Sequence, residues 1–427
     1  MIIKNKYIIG THIMFYETDM AEEHIQSIAN AASRVANPEN ITIDLLYNIS
    51  EYFEKVDTSV ISKEELKQKF ILLVEHLRSV GLNVRYNFYE DDDNPLTMVD
   101  YRRDLNYKNC KNFDYVIWGE TDCLLPAELF QSLEAIKEYA NENNIHKYVT
   151  TFAIRKMWDD SWKVLEHPKF TDKEYYETKL PDGSRDDRAY EEPHSIRYTM
   201  SIDEMNEVNA EAKEFDIKII NNPQFDGSGL VLSSDLLKNG VNVPHCVMGH
   251  LVDDTSMMMS CRQIMGNQYV QFIVKNILKV HNRNHPKKRN YALDMDGKRN
   301  LQEATLGKKG DWFYKMRELV HQNLGHFGSS QGKFNTYEQI DDDFSKWASD
   351  AFIMFPANCT VLNVTSASDV VSWFTVAPVP STLRVASPPN ELISFIDPPE
   401  PAVSSASKLM LSKVIVPATS SAVTVTS

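Results

Sequence analysis

The first third of the chain alternates between segments with the pattern of β-strands and segments with the pattern of amphipathic helices. This alternation constrains the fold most, because strands joined through helices build a mostly parallel sheet with helices on both faces. The predicted fold class is therefore α/β. Strand patterns occupy 7–16, 41–50, 83–90 and 113–118, and helix patterns occupy 20–36, 62–81, 97–110 and 126–144.

Composition narrows the classes of partner and compartment. A chain with a formal net charge of -15 lacks the excess of basic residues that binding to nucleic acid or to an anionic membrane requires. The five cysteines are scattered and form no C-x-x-C pair, which favours a reducing compartment over a disulfide framework. No apolar stretch is long enough for a membrane span or a signal peptide. We therefore expect a cytoplasmic protein with no membrane span and no nucleic-acid partner.

The composition changes near residue 350. From there to the end the chain has seven charged residues in 77 and is rich in Ser, Thr, Val and Pro. We expect a main domain over 1–290, a helical C-terminal extension over 291–350, and a low-charge tail over 351–427. The tail is either β-rich or disordered.

Glu120 and Asp122 follow a buried strand pattern in the sequence FDYVIWGETDCLLP. In an open α/β sheet, ligands collect at the carboxyl ends of the strands. Two carboxylates one residue apart repel each other unless a cation lies between them, which favours a divalent metal ion with oxygen ligands. The alternative is a solvated polar turn.

Two more groups later in the chain could take part in chemistry. Asp253 and Asp254 begin a Met-rich helix pattern in VDDTSMMMSCRQIM, where they are either helix caps or include a general base for a hydroxyl nucleophile. His281 and His285 end a later strand pattern, and each is either a metal ligand or a polar surface residue.

Cationic side chains and a glycine loop accompany these groups. Arg102 and Arg103 lie on the helix before the carboxylates, where a guanidinium pairs with Asp122, with a phosphate, or with a carboxylate on the protein surface. The basic run KKR at 287–289 either holds a diphosphate or forms a solvated turn. PQFDGSGLVLS has two glycines beside Asp226, which suits either close approach of the backbone to a ligand or a plain turn.

The order of these features resembles that of the GT-A glycosyltransferases, in particular the family-2-like enzymes. ETDCLLP is similar to their D-x-D-x-x-x-P signature, with Glu120 in place of the first aspartate, and VDDTSMMMSCR is similar to their E-D motif. The resemblance covers roughly 5–290 and implies a GT-A-type three-layer α/β/α sandwich with a Rossmann-like sheet. It also implies a nucleotide-sugar-binding half over 1–125 and an acceptor and catalytic half over 126–290.

The resemblance implies metal ligands as well. Asp122 and Glu120 would bind Mn²⁺ or Mg²⁺ together with a late histidine, which is His281 or His285.

The remaining roles implied by the resemblance concern the donor and the reaction. Asp254, with Asp253 beside it, corresponds to the catalytic base of an inverting enzyme. Five residues correspond to contacts with the nucleotide-sugar donor: Thr11, Asn48, Arg103, Glu120 and Asp122.

The predicted function is transfer of a sugar from a UDP- or GDP-sugar to a hydroxyl of a glycan, a lipid-linked acceptor or a protein. A nucleotidyltransferase or sugar-nucleotide pyrophosphorylase stays an alternative, although IIGTHIMFYETD lacks the glycine- and lysine-rich phosphate loop that normally follows the first strand of those enzymes. A non-catalytic structural or attachment protein built on the same sheet is the third possibility.

Overall fold

A computed structural model shows two compact units in the chain. The first comprises 1–238 and 268–308, and the second comprises 239–267 and 309–427. Most of the predicted helical extension and tail lies outside the described residues, and the predicted domain boundaries stay predictions. The structure describes residues 1–93, 96–154, 167, 200–220, 225–243, 253–282, 285, 287–294, 296–298, 360–363 and 372–375.

The first unit alternates strands and helices as the sequence predicts, with small differences at the ends of the elements. Its strands are β1 (Tyr7–Met14), β2 (Ile41–Asn48), β3 (Lys55–Val56), β4 (Asn83–Tyr89), β5 (Tyr115–Gly119), β6 (Cys123–Leu124), β7 (Tyr148–Ile154), β8 (Ile217–Ile220), β9 (Leu230–Ser233), β10 (Val270–His281) and β11 (Ala292–Leu293). Its α-helices are α1 (Thr18–Ser33), α2 (Lys63–Ser79), α3 (Met98–Asn109), α4 (Leu129–Glu142), α5 (Ile202–Asn209) and α6 (Ser234–Leu237).

Nine strands of this unit form one mixed sheet in the order β4-β2-β1-β5-β9-β7-β10-β6, with β8 also paired to β10. The strands β4, β2, β1 and β5 are parallel neighbours, and so are β7 and β10. β9 runs antiparallel between β5 and β7. β7 and β10 therefore point the same way as β5, and the sheet is mostly parallel, which confirms the predicted class.

Helices cover both faces of this sheet. A Cβ atom on Gly10 would lie 2.2 Å from Leu105 Cδ2 and 2.8 Å from the Tyr101 hydroxyl, so this side of β1 faces α3. Successive side chains of a strand point to opposite faces, and Ile9 shares a core on the other face with Ile25 of α1 and with residues of α2 and α4. The unit is the predicted three-layer α/β/α sandwich.

Local sequence signals set the ends of α2. The Ser62 hydroxyl accepts from the backbone N–H of Glu65, and the Glu65 carboxylate accepts from the backbone N–H of Ser62, which forms a capping box. Gly81 follows the helix with a φ of 85°, a conformation that glycine adopts without a steric penalty. Between these ends, one buried face of the helix is formed by Leu66, Phe70, Val74 and Leu77.

In the second unit the structure describes one helix and two paired strands. The helix α7 (Asp253–Met265) begins at the two predicted aspartates. The strands β12 (Thr360–Asn363) and β13 (Ser372–Thr375) form an antiparallel pair within the predicted tail. Across the described parts of both units, every helix is too short or too polar to span a lipid bilayer.

Candidate metal centre

Glu120 and Asp122 leave the carboxyl edge of the sheet directly after β5, whose residues are all buried. The chain then turns, with the Cys123 N–H donating to the Glu120 carbonyl, and enters the short strand β6. β6 pairs with the end of β10 so that Cys123 faces His281, and the Asn282 N–H donates to the Asp122 carbonyl at 2.7 Å. This two-residue pairing brings a late histidine to the early carboxylates.

Three side chains converge at this point. Nε2 of His281 lies 3.4 Å from Oε2 of Glu120 and 3.4 Å from Oδ1 of Asp122. One potential ligand atom from each residue lies within 4.8 Å of the others. Two carboxylate oxygens and an imidazole nitrogen suit Mn²⁺, and with added water they also suit Mg²⁺. The side chains present therefore fit the predicted metal ion.

His285, the other candidate ligand, lies elsewhere. Its Nε2 atom is 3.3 Å from Oε1 of Glu23 on α1, and it does not belong to the cluster of Glu120, Asp122 and His281. Of the two histidines, His281 is thus the one positioned for the metal ion, although metal binding itself stays a prediction.

Arg102 holds the other oxygen of Glu120. Its Nη2 atom donates to Oε1 of Glu120 at 2.7 Å and to the Gly227 carbonyl at 3.1 Å. The guanidinium lies 4.6 Å from the ring centre of Trp118, and the side chain is 1% exposed. Arg102 therefore fixes one carboxylate oxygen and leaves Oε2 of Glu120 directed toward His281.

Asp122 is held in its ionised form. Burial would raise its pKa, but the Lys288 ammonium at 2.8 Å and His281 keep it well below the ordinary value. Glu17 is partly buried and hydrogen-bonds to Thr121. Desolvation raises the pKa of Glu17 to about 7. The charge of Lys288 opposes this rise, and the charge of Asp122 adds to it. The site thus presents a charged carboxylate at neutral pH before any metal ion binds.

His24, which the sequence did not single out, supports the turn from within the core. Its Nδ1 atom lies 2.6 Å from the Cys123 carbonyl and its Nε2 atom lies 3.0 Å from Oγ1 of Thr11. Burial lowers the pKa of His24 to about 4, so the ring is neutral. Because a carbonyl only accepts, Nδ1 carries the proton and Nε2 accepts from Thr11.

Gly119 allows this close approach. A Cβ atom at this position would lie 2.1 Å from Oγ1 of Thr11, 2.9 Å from Nε2 of His24 and 3.1 Å from the Gly10 carbonyl. The residue before the carboxylates therefore has no room for a side chain.

The glycine loop after residue 224 packs beside the metal centre through a buried ion pair. Nζ of Lys279 lies 2.5 Å from Oδ2 of Asp226 and also donates to the Ser228 carbonyl. Gly229 has a φ of 66°, and its N–H donates to the Trp118 carbonyl at 2.8 Å. Lys279 was not predicted as a site residue, because its place in an apolar strand pattern carries no signal of a buried partner.

Each cation of the basic run at 287–289 lies near a different carboxylate, and the side chain of Lys287 is 45% exposed. Lys287 lies 3.5 Å from Glu23 and Lys288 lies 2.8 Å from Asp122. Arg289 pairs with Glu54 at 2.8 Å, with both side chains buried. We call Lys287, Lys288 and Arg289 the basic strap, since each of its three cations pairs with a carboxylate from a different part of the first unit.

The predicted donor contacts already have partners within the protein. The Asn48 amide donates to the Leu96 carbonyl at 3.0 Å, and its oxygen accepts from the Ser50 hydroxyl at 2.8 Å. Arg103 pairs with Asp100 at 2.8 Å. Thr11 is fully buried and bonded to His24. Their roles toward a donor stay predictions.

Asp253 and Asp254 open α7 in the second unit. Asp253 is buried, and Oδ1 of Asp254 accepts from the Thr255 N–H at 2.6 Å. Carboxylates in the first turn of a helix are stabilised by its free N–H groups, so this geometry is compatible with a cap. The catalytic role that the sequence resemblance implies stays a prediction.

Comparison with known proteins found similar solved structures, whereas no family model and no curated protein matches the chain. Residues 1–349 of S. aureus TarS are 12% identical with a TM-score of 0.38, and the match covers 80% of this chain and 70% of that TarS segment. Glucosyl-3-phosphoglycerate synthase of Mycobacterium tuberculosis, in complex with Mn²⁺, UDP and glucosyl-3-phosphoglycerate, is 11% identical with a TM-score of 0.35 over 88% of each chain. GalNAc-T7, with UDP, GalNAc and Mn²⁺, is 8% identical with a TM-score of 0.35 over 87% of this chain and 67% of that one.

Proposed function

We propose that the chain is a metal-dependent GT-A glycosyltransferase that moves a sugar from a UDP- or GDP-sugar to a hydroxyl acceptor. The observation that carries this proposal is the convergence of Glu120, Asp122 and His281 at the carboxyl edge of a mostly parallel sheet. Ligands of open α/β sheets bind at this edge. A glycan, a lipid-linked molecule or a protein is proposed as the acceptor, and the cytoplasm as the compartment.

Each residue of the cluster has a separate task in this proposal. Asp122 and Glu120 contribute anionic oxygens, His281 contributes an imidazole nitrogen, and Arg102 keeps Glu120 in place. When bound, Mn²⁺ or Mg²⁺ supplies positive charge to the diphosphate that departs from the sugar. Ionised Asp122 is ready for this ion without an initial loss of a proton.

Asp254 is proposed as the base that takes the proton from the acceptor hydroxyl. Its carboxylate is at the start of α7, where the helix dipole favours the ionised form. Attack on the sugar from the face opposite the diphosphate then gives inversion. Asp253 is proposed to support this residue, and Thr11, Asn48 and Arg103 to contact the donor.

The test is Mn²⁺-dependent release of UDP or GDP from a panel of sugar nucleotides. Asp122→Ala should abolish release because it removes a metal ligand, and Asp254→Asn should lower the rate by about 10²- to 10⁴-fold because it removes the base. Asp203→Asn is the matched control, since Asp203 is an exposed aspartate in the first turn of α5. Absence of Mn²⁺-dependent nucleotide binding would refute the enzyme, whereas full activity of Asp254→Asn would refute its role as base.

The same panel separates the pyrophosphorylase alternative. In the structure, β1 leads into a 3-10 helix over Phe15–Glu17, and this segment has no glycine- and lysine-rich phosphate loop. Added pyrophosphate should therefore yield no nucleoside triphosphate from any sugar nucleotide. Formation of UTP or GTP would favour the alternative.

A further inference from the structure

The basic strap connects the end of the sheet with the metal centre. Its three cations bind Glu23, Asp122 and Glu54. Of these carboxylates, Asp122 is the one that belongs to the cluster of potential metal ligands. Lys288 therefore places an ammonium group on a carboxylate that a divalent ion would use.

Formal charges in the centre balance without a metal ion. The carboxylates of Glu120 and Asp122 face the cations of Arg102 and Lys288 at 2.7 Å and 2.8 Å. A divalent ion added to this set leaves excess positive charge, which is unfavourable in a mostly buried site. Either a cation has to leave or an anion has to join.

The two cations differ in their freedom to move. Arg102 is 1% exposed, lies against the ring of Trp118 and also donates to the Gly227 carbonyl. Lys288 is 22% exposed and carries its charge on a flexible chain of four methylene groups. Lys288 is therefore the cation that can withdraw from Asp122 at the smaller cost.

We propose that Lys288 is the resident counter-ion of Asp122, that it competes with the divalent ion for this carboxylate, and that it thereby makes tight metal binding depend on an anionic co-ligand. The co-ligand is a nucleoside diphosphate or its sugar ester. This identification of the co-ligand rests on the proposed function. Lys288 released from Asp122 neutralises part of that anion's charge. Metal ion and nucleotide then bind cooperatively, and the metal ion alone binds weakly.

The experiment measures Mn²⁺ binding without nucleotide, from the electron paramagnetic resonance signal of free Mn²⁺. Lys288→Met should tighten Mn²⁺ binding by about tenfold or more, because a charge at contact distance no longer competes. Lys287→Met is the matched control and should leave the affinity unchanged, since Lys287 pairs with Glu23. Asp122→Asn defines the site-specific part of the binding. Unchanged or weaker Mn²⁺ binding by Lys288→Met would overturn the competition.

The melting temperature is a second readout, which shows whether a variant is folded. Lys288→Met should melt at a lower temperature than the wild type in EDTA, and Mn²⁺ should raise its melting temperature more than that of the wild type. Lys288→Gln should shift both quantities in the same direction, whereas Lys288→Arg should resemble the wild type. Equal Mn²⁺-induced shifts in the wild type and both neutral variants would overturn the proposal.

Addition of UDP or GDP tests the cooperative part. The nucleotide should tighten Mn²⁺ binding to the wild type and should do so less in Lys288→Met. If neither nucleotide changes Mn²⁺ affinity in the wild type, the cooperative part and the proposed donors are both refuted, while a tighter Lys288→Met would still support competition at Asp122. If nucleotides tighten binding equally in both proteins, the cooperative role of Lys288 is refuted and the proposed function is not.

Discussion

Replacement of Lys279 by methionine removes the buried cation that faces Asp226. Their side chains are 0% and 3% exposed, and 2.5 Å separates the ammonium nitrogen from the carboxylate oxygen. Methionine retains an unbranched apolar side chain of similar length but leaves the carboxylate without this counter-charge. Loss of one partner from a buried ion pair costs about 3 to 5 kcal/mol. We expect Lys279→Met to lower the free energy of unfolding by that amount at neutral pH.

This loss should depend on pH. Burial would raise the pKa of Asp226, but Lys279 and His281 hold it below its ordinary value. The wild type therefore gains stability from this carboxylate above about pH 4 and loses it as the pH falls through the lowered pKa. Without Lys279, burial raises the pKa, and the penalty is largest at high pH. The difference in unfolding free energy between variant and wild type should shrink from about pH 7 toward about pH 4.

Urea unfolding followed by both tryptophan fluorescence and circular dichroism measures this difference, and agreement of the two probes supports two-state treatment. Asp226→Asn combined with Lys279→Met should regain more than half of the lost stability, because the uncompensated charge is gone. Lys238→Met is the control, since Lys238 pairs with Asp235 at 3.1 Å on the surface, where the expected loss is below about 1 kcal/mol. A Lys279→Met protein within about 1 kcal/mol of the wild type at neutral pH would refute the reasoning.

Three more predictions concern the metal centre. Gly119→Ala should lower the unfolding free energy by about 1 to 3 kcal/mol, because the new Cβ would lie 2.1 Å from Oγ1 of Thr11; an unchanged urea midpoint would contradict this packing. His24 should stay neutral in an NMR titration from about pH 8 to about pH 5, since burial lowers its pKa to about 4. The neutral His24 ring contributes to stability in full above about pH 6.5, and this contribution is lost as the pH falls toward about 4. His24→Gln lacks this titrating group, so its unfolding free energy should fall less than that of the wild type between about pH 7 and about pH 5. Asp122→Asn should weaken Mn²⁺ binding by more than about tenfold, as measured by electron paramagnetic resonance, and equal affinity would exclude Asp122 as a ligand.

The elements that could be predicted from the sequence are those with a local signal. α2 has an apolar stripe between Ser62 and Gly81, and both ends agree with the structure. The carboxylates could be placed at the sheet edge because β5 is a continuous apolar run that stops directly before them. A buried strand pattern followed by charged residues can be recognised within one short stretch of sequence.

Features that depend on distant pairing could not be predicted. The choice of His281 over His285 follows from a two-residue ladder between β6 and β10. Local periodicity predicts a strand at Leu230–Ser233, but not that this strand, β9, runs antiparallel between β5 and β7. Arg102 and Arg103 are neighbours in the sequence, and the tertiary packing of α3 directs the first to Glu120 and the second to Asp100.

The ladder between β6 and β10 also sets the order of events during protein synthesis. About 160 residues separate Glu120 from His281, which corresponds to about 8 to 32 s at about 5 to 20 residues per second. The parallel neighbours β4, β2, β1 and β5 are synthesised by then, and Glu120 already has Arg102 as its partner. Both carboxylates still lack the imidazole of His281, and Asp122 also lacks the ammonium group of Lys288. A ribosome-bound chain that has not yet passed His281 thus has two of its three potential metal ligands and no full binding site. Capture of a metal ion by all three ligands therefore requires β10 and could not guide the assembly of the strands that are made before it.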